Sequence, residues 1–435
     1  MLNRAAKPFI KLVERYLPDP YIFVLILTLV TIGAAVAFEQ QPILNVITQW
    51  GDGFWGLLSF SMQMLLVLVS GFMLANTPLM KNLLGRLAKL GNTPGKAIIL
   101  VTLVSLTASW INWGFGLVVG ALFAKALARN VQVDYRLLVA SAYSGFVVWH
   151  GGLAGSIPLT IATPGHFSED QIGVITTGST LFSSFNLILL AILFIVVPLV
   201  NRLMMPPANE SIIVSPDKLH DDPMPSAENA RPADKLENSK LLAVLVAFVG
   251  IAYLVSYFVQ GGGLNLNIVN SLFLFLAIVL HGTPKRLLHS LQQAIHGGSG
   301  IVIQFPFYAG IMAVMVQSGL AQSLSQWLIS FASAESLPVW SFISAGIVNI
   351  FVPSGGGQWA VQAPVILPAA AELGADVSRV AMAVAWGDAW TNLIQPFWAL
   401  PVLAIAGLKA KDIMGFCLVQ LIVTGITISL VLRFV

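Results

Sequence analysis

Asp388 is the residue of this chain best placed to do chemistry, because it lies deep in an apolar stretch where a carboxylate must pair with a cation or take a proton. His150 is its histidine counterpart in another apolar stretch, with an intrinsic pKa suited to a proton relay. After Asp388 come Thr391, Asn392, Gln395 and Pro396; after His150 come Gly151, Gly152, Gly155, Ser156 and Pro158. Proline and clustered glycine break helices, and each break frees carbonyls and amides. Such oxygens suit sodium, with Asn112, Thr391 and Asn392 as candidate ligands. The expected coupling-ion residues are therefore Asp388, Thr391, Asn392, Ser156 and His150, for a proton or for sodium. For Asp388 the plainer alternative is a structural carboxylate bonded to neighbouring Trp, Thr or Asn.

Two more interruptions have substrate chemistry. At Pro353, Ser354, Gly355, Gly356 and Gly357 the proline and glycines stop one helix, and the next begins with free backbone amides that favour a carboxylate. Asn349, Gln358 and Gln362 flank that break inside an apolar segment. The other interruption, Asn112, Trp113, Gly114, Phe115 and Gly116, offers an amide and two glycines among aromatic rings. No Arg lies in either, and a dicarboxylate or phosphate would call for fixed cations or an Arg clamp. One carboxylate on a short apolar tail fits better, with Trp113, Phe115, Trp359, Trp390, Phe397 and Trp398 available to line the tail. The expected substrate-binding set is Asn112, Trp113, Gly114, Asn349, Ser354, Gly355, Gly356, Gly357, Gln358, Trp359 and Phe397.

The elements that position these residues must cross a bilayer. The 435 residues are 57% hydrophobic and 9% charged, with a mean hydropathy of +0.84, which defines a polytopic membrane protein. The lone Cys417, in the last apolar segment, excludes a disulfide framework or cysteine-rich metal site. Residues 1–19 carry basic residues and no small-residue cleavage site, so the segment is expected to stay cytoplasmic ahead of a retained first helix. About nine full spans follow, at 20–38, 54–75, 137–163, 178–200, 241–259, 266–280, 301–316, 377–407 and 413–432. With the amino terminus cytoplasmic and the carboxyl terminus periplasmic, 20 of the 22 Lys and Arg fall inside, leaving only Arg379 and Arg433 outside.

The landmarks recur. Asn349 lies 237 positions after Asn112 and Trp386 lies 237 after Trp149; upstream, Gln63 and Gln304, and Asn76 and Gln317, stand 241 apart. The expected fold class is an all-α polytopic membrane protein of two inverted-topology repeats, 20–200 and 266–433. Each holds a re-entrant hairpin (97–128, 339–371) and a broken helix (137–163, 377–407). A polar cytoplasmic linker, 201–240, and an unpaired helix, 241–260, join them and invert the second half.

Long strings support a family resemblance over essentially the whole chain: LPDPYIFVLILTL, WGDGFWGLLSFSMQM, INWGFGLVVGALFA, IQFPFYAGI, VPSGGGQWAVQAPVILPAA and QPFWALPVLAIAGL. In these the chain resembles the bacterial short-chain fatty acid transporter family, of the acetoacetate and butyrate permease type. More distantly it is similar to the ion transporter superfamily of dicarboxylate and citrate carriers. The resemblance implies multi-pass insertion in the bacterial inner membrane and uptake of short-chain monocarboxylates. From the superfamily it implies hairpins and broken helices that form the site and move as an elevator. The tips depart from the paired Ser-Asn-Thr of that superfamily, which bears on the number and position of sodium sites.

The expected activity is cation-coupled uptake of butyrate, acetoacetate or similar acids without any cofactor. The expected partners are the substrate and the lipid bilayer, with a homodimer through the first helices of each half and no nucleic acid. A carrier of other small organic anions such as dicarboxylates is the alternative. A channel is disfavoured by the closed tips, and a membrane-embedded hydrolase by the lack of a nucleophile or metal cluster.

Overall fold

In the computed structural model, residues 20–216, 219, 231–350 and 352–435 are described, and the segment 1–19 and a part of the central linker (217–218 and 220–230) lie outside them. The described chain is helical throughout. Three helices start on the same Thr-Pro pair: α4 (Pro78–Ala88), α5 (Pro94–Ile111) and α14 (Pro284–Gln317). In each the threonine hydroxyl accepts the amide of the third helical residue, while proline occupies the first position, where no amide hydrogen is needed.

The first half runs α1 (Pro20–Ala37), α2 (Ile43–Gly53), α3 (Leu58–Ala75), α4, α5, α6 (Trp113–Ala128), α7 (Tyr135–Ser144), α8 (Ser156–Ile161), α9 (Glu169–Ile172) and α10 (Ser184–Leu203). After the short α11 (Pro232–Glu237) come α12 (Lys240–Val259), α13 (Leu266–His281), α14, α15 (Leu320–Ile329), α16 (Leu337–Asn349), α17 (Gly355–Leu373), α18 (Val377–Thr391), α19 (Pro396–Ala406) and α20 (Ala410–Phe434). The order from α3 to α10 is long helix, short helix, two-armed element, broken helix and long helix, with the small α9 inserted before the last. From α14 to α20 the same order returns.

Several boundaries differ from the expectations. By length and apolarity eight helices of the described chain can cross a membrane, with four shorter apolar helices besides, against about nine full spans expected. The stretch expected as a span at 301–316 is the last part of the 34-residue α14. Its interior Pro306 does not end it, because the helix packs along α1, α2 and α3. The span expected from 178 begins at Ser184, since turns fill the residues before it. The first arm of the first two-armed element has 18 residues, about 27 Å at ~1.5 Å per residue, longer than expected because its Thr93 cap lies upstream.

α12 shows how packing in lipid is arranged. Ala243, Ala247, Gly250 and Leu254 recur at helical spacing and are buried, with Gly250 against Phe275 of α13. Leu241, Phe248, Val249 and Val259 face outward. Small residues let helices approach closely where lipid offers no hydrophobic incentive to associate. The main apolar core draws on both halves. A second cluster joins Ile157 and Ile161 of α8 to Trp359, Ala363 and Ile366 of α17 and Ala385 of α18. The first broken helix thus packs on the second two-armed element, across the halves.

Candidate functional site

The helices within 137–163 and 377–407 are both interrupted. After α7 the chain tightens into a 3-10 turn, Gly145–Gly151, and resumes as α8. After α18 a 3-10 turn, Asn392–Ile394, leads through Gln395 to Pro396 and α19. The breaks are latched reciprocally. Trp149 donates its indole N–H to Asn392 Oδ1 (2.9 Å), and Trp386 donates to Asn186 Oδ1 (3.0 Å), so each indole reaches into the other half. Tyr143 adds its hydroxyl to the carbonyl of Asn392, and Tyr135 donates to the carbonyl of Ala406 (2.9 Å). Buried hydrogen bonds of this kind hold a unique arrangement, because breaking one strands a desolvated partner at about 1–3 kcal/mol.

At the centre His150 Nδ1 lies 3.5 Å from Asp388 Oδ1, with both side chains fully buried. The ring's other nitrogen, Nε2, accepts the amide of Ile157 (3.2 Å). A neutral imidazole has one donor and one acceptor, so the proton belongs on Nδ1, toward the carboxylate. Trp149 stacks on the imidazole at 3.8 Å between centroids. Among the described residues no Lys or Arg pairs with Asp388, and neither carboxylate oxygen receives a hydrogen bond.

Asn349, at the end of α16, donates to the Asp388 carbonyl and to Thr391 Oγ1, both at 2.9 Å, while Gln395 donates to the Asn349 carbonyl. Those bonds fix both amides and leave Asn349 Oδ1 and Gln395 Oε1 without donors; Asn392 Nδ2 is likewise unpaired. These unpartnered polar atoms gather in one buried region, where a polar ligand or ion could meet them.

The second tip joins this centre. Ser354 caps α17, its hydroxyl accepting the Gly357 amide at 3.4 Å. Gly355 and Gly356 open the helix, where no earlier turn supplies acceptors for their amides. A Cβ on Gly355 would collide with His150 Cε1 and stand 2.8 Å from Nε2. One on Gly356 would meet Phe60 Cζ at 2.6 Å, and one on Gly357 the Tyr308 ring at 2.6 Å. Only glycine lets the tip lie against three rings. Phe60 and Tyr308 escape notice in the sequence, although Tyr308 belongs to the string IQFPFYAGI, and its hydroxyl donates to Gln304 Oε1 (3.1 Å).

The remaining expected residues fall into three groups. Asn112 caps α6 through Phe115 N (2.9 Å) and donates to the Val67 carbonyl (3.3 Å). Among the described residues it makes no hydrogen bond to Thr391 or Asn392. Each of the three candidate sodium oxygens thus already accepts an N–H. Gly114 packs on the α3 backbone, 2.7 Å from Leu68 O for a Cβ. Trp113 reaches the Trp149 ring at 5.9 Å and Trp398 at 5.3 Å.

Gln358 bonds the Ala345 carbonyl (2.9 Å) and Gln362 (2.7 Å), joining the two arms of the second element. Trp359 is buried in the second apolar cluster. Trp390 donates to the Leu421 carbonyl at 2.6 Å. Ser156 opens α8, its carbonyl accepting Thr160 Oγ1 at 2.6 Å. The side chain of Phe397 lies outside the described residues.

The fold is that of a multi-pass helical membrane protein with its helix breaks buried in protein, which is how a transporter satisfies irregular backbone at membrane depth. The chain belongs to the short-chain fatty acid transporter family, which it matches over residues 1–435, a family of transporters and not of enzymes. A protein of Escherichia coli (strain K12) named "Putative short-chain fatty acid transporter" is 43% identical over 431 residues, 98% of each chain. One of Haemophilus influenzae (strain ATCC 51907 / DSM 11121 / KW20 / Rd) with the same name is 42% identical over 437 residues, again 98% of each. Among solved structures, the Alcanivorax borkumensis YdaH transporter is similar in fold, with a TM-score of 0.60 and 15% identity over 96% of this chain and 98% of that one.

Proposed function

We propose that the protein is a secondary carrier that takes up short-chain monocarboxylates such as butyrate or acetoacetate across the bacterial inner membrane, coupled to a proton or sodium. The observation that carries this reading is the fully buried Asp388, with no donor on either oxygen and His150 3.5 Å away, beside a glycine-opened helix in a chain of this family. The Gly355 and Gly356 amides receive the carboxylate, which explains how an acid is held without an Arg clamp. Asp388, with Asn349, Asn392 and Gln395 around it, takes the coupling cation.

The halves are read as inverted repeats whose two-armed elements are re-entrant hairpins. The reciprocal latches by Trp149 and Trp386 support one moving body of hairpins and broken helices, carried as an elevator against α1, α2, α13 and α14. A homodimer through the first helices of each half would supply the fixed scaffold. The amino terminus is assigned to the cytoplasm and the carboxyl terminus to the periplasm. On the outer side Arg379 donates to the Leu432 carbonyl (2.8 Å) and Arg433 pairs with Glu335 (3.5 Å), which supports local roles for the two basic residues that break the inside bias.

Counterflow of labelled butyrate and acetoacetate in proteoliposomes tests the substrate. Saturable exchange is expected for at least one of them, and exchange of neither would sink the assignment.

A further inference from the structure

We propose that His150 transmits cation occupancy of Asp388 to the second tip, so that the acid and the glycine amides are linked through a residue of the opposite half. The inference rests on the coupled-carrier reading above and concerns how its two sites communicate.

Four contacts define the imidazole. Nδ1 faces Asp388 at 3.5 Å, Nε2 accepts the Ile157 amide at 3.2 Å, one face stacks on Trp149, and the Cε1–Nε2 edge presses on Gly355. The side chain is fully buried. A cation at Asp388 offsets the attraction of the carboxylate for the Nδ1 edge 3.5 Å away, and any tilt of the ring that follows moves the edge resting on Gly355. The glycine is then required for a reason besides backbone freedom, since a side chain there would occupy the space the imidazole needs. Of the titratable groups on neighbouring elements, Tyr308 of α14 lies beside Gly357 and Tyr143 of α7 bonds the Asn392 carbonyl, and among the described residues no Lys or Arg pairs with Asp388.

Thermodynamic linkage makes the coupling reciprocal, so it can be read without substrate. The only cysteine, Cys417, is buried, so a Cys417→Ser background carrying Ser354→Cys reports on the tip by its maleimide labelling rate. Ile350→Cys serves as a second reporter in case loss of the Ser354 cap perturbs folding. One arm compares sodium chloride with choline chloride at pH 8, and the other varies pH from 8 to 5.5 without sodium, each rate divided by that of the unfolded protein at the same pH because maleimide attacks the thiolate; the two arms separate the two cations. In at least one arm the parent is expected to change its labelling rate by about fivefold or more.

His150→Phe keeps an aromatic ring against Trp149 and Gly355 but has no donor for Asp388. It is expected to lose the response to the cation, as is Asp388→Asn. A purely packing role would leave the response of His150→Phe intact, and that result overturns the inference, as does a parent without response in either arm. A parent that responds but exchanges neither butyrate nor acetoacetate would refute the substrate assignment and leave the linkage standing.

Discussion

The two tips have the same plan and different duties. At the first, Asn112 caps α6 and bonds the α3 backbone, Gly114 and Gly116 are wedged against Leu68 and Ser109, and the amide oxygen is spent. At the second, Asn349 fixes the Asp388 and Thr391 positions with its amide nitrogen and keeps its oxygen free, while the glycines lie against His150, Phe60 and Tyr308. Two asparagines 237 positions apart thus serve packing at one tip and the polar centre at the other. The lesson is that similar local sequence at two tips does not fix a similar site.

The strongest way to break this contrast is Asp388→Asn, which removes the acid on the second side only. Accumulation driven by an imposed proton or sodium gradient should fall about tenfold, while counterflow of butyrate persists; unchanged accumulation would return Asp388 to a structural role. Next comes Gly116→Ala on the first side. Its Cβ would stand 2.6 Å from the Ser109 amide nitrogen, backbone that cannot yield, so a loss of about 1–3 kcal/mol in unfolding in detergent is expected. A wild-type transition would show that the first tip is not tightly packed.

Trp149→Phe keeps the stack on His150 and removes the indole donor to Asn392. Stability should drop by about 1–3 kcal/mol, and the sign to watch is a parallel weakening of gradient coupling, absent if the latch is only structural. Smallest is Asn112→Ala, which should cost about 1 kcal/mol as a lost helix cap and leave the KM for butyrate counterflow unchanged. A raised KM there would place the first tip in the substrate site and erase the contrast.

Much of the architecture was legible because it depends on local chemistry. The glycine and proline clusters break helices within a few residues of the atoms they act on, whereas the Thr93 and Thr283 caps start α5 and α14 upstream of the expected 97 and 301. The length of α14 was not legible, since only the apolar stretch 301–316 stands out in the sequence and packing along α1, α2 and α3 accompanies the helix over its full length. The site was legible as a list of residues and not as an arrangement. Asn112, Thr391 and Asn392 look alike as oxygen donors in a sequence, yet their partners differ.

What the sequence by itself determined is the membrane class, the positions of four breaks, the second tip's glycines, and an acid and a histidine within apolar stretches. Tertiary structure alone decided that the acid and the histidine meet, that Gly355 rests on the imidazole, and that each half latches the other through an indole. Trp149 and Asn392 stand 243 residues apart, and no local propensity records such a pairing. It follows from which helix faces can approach closely and from the cost of leaving a buried donor unpaired.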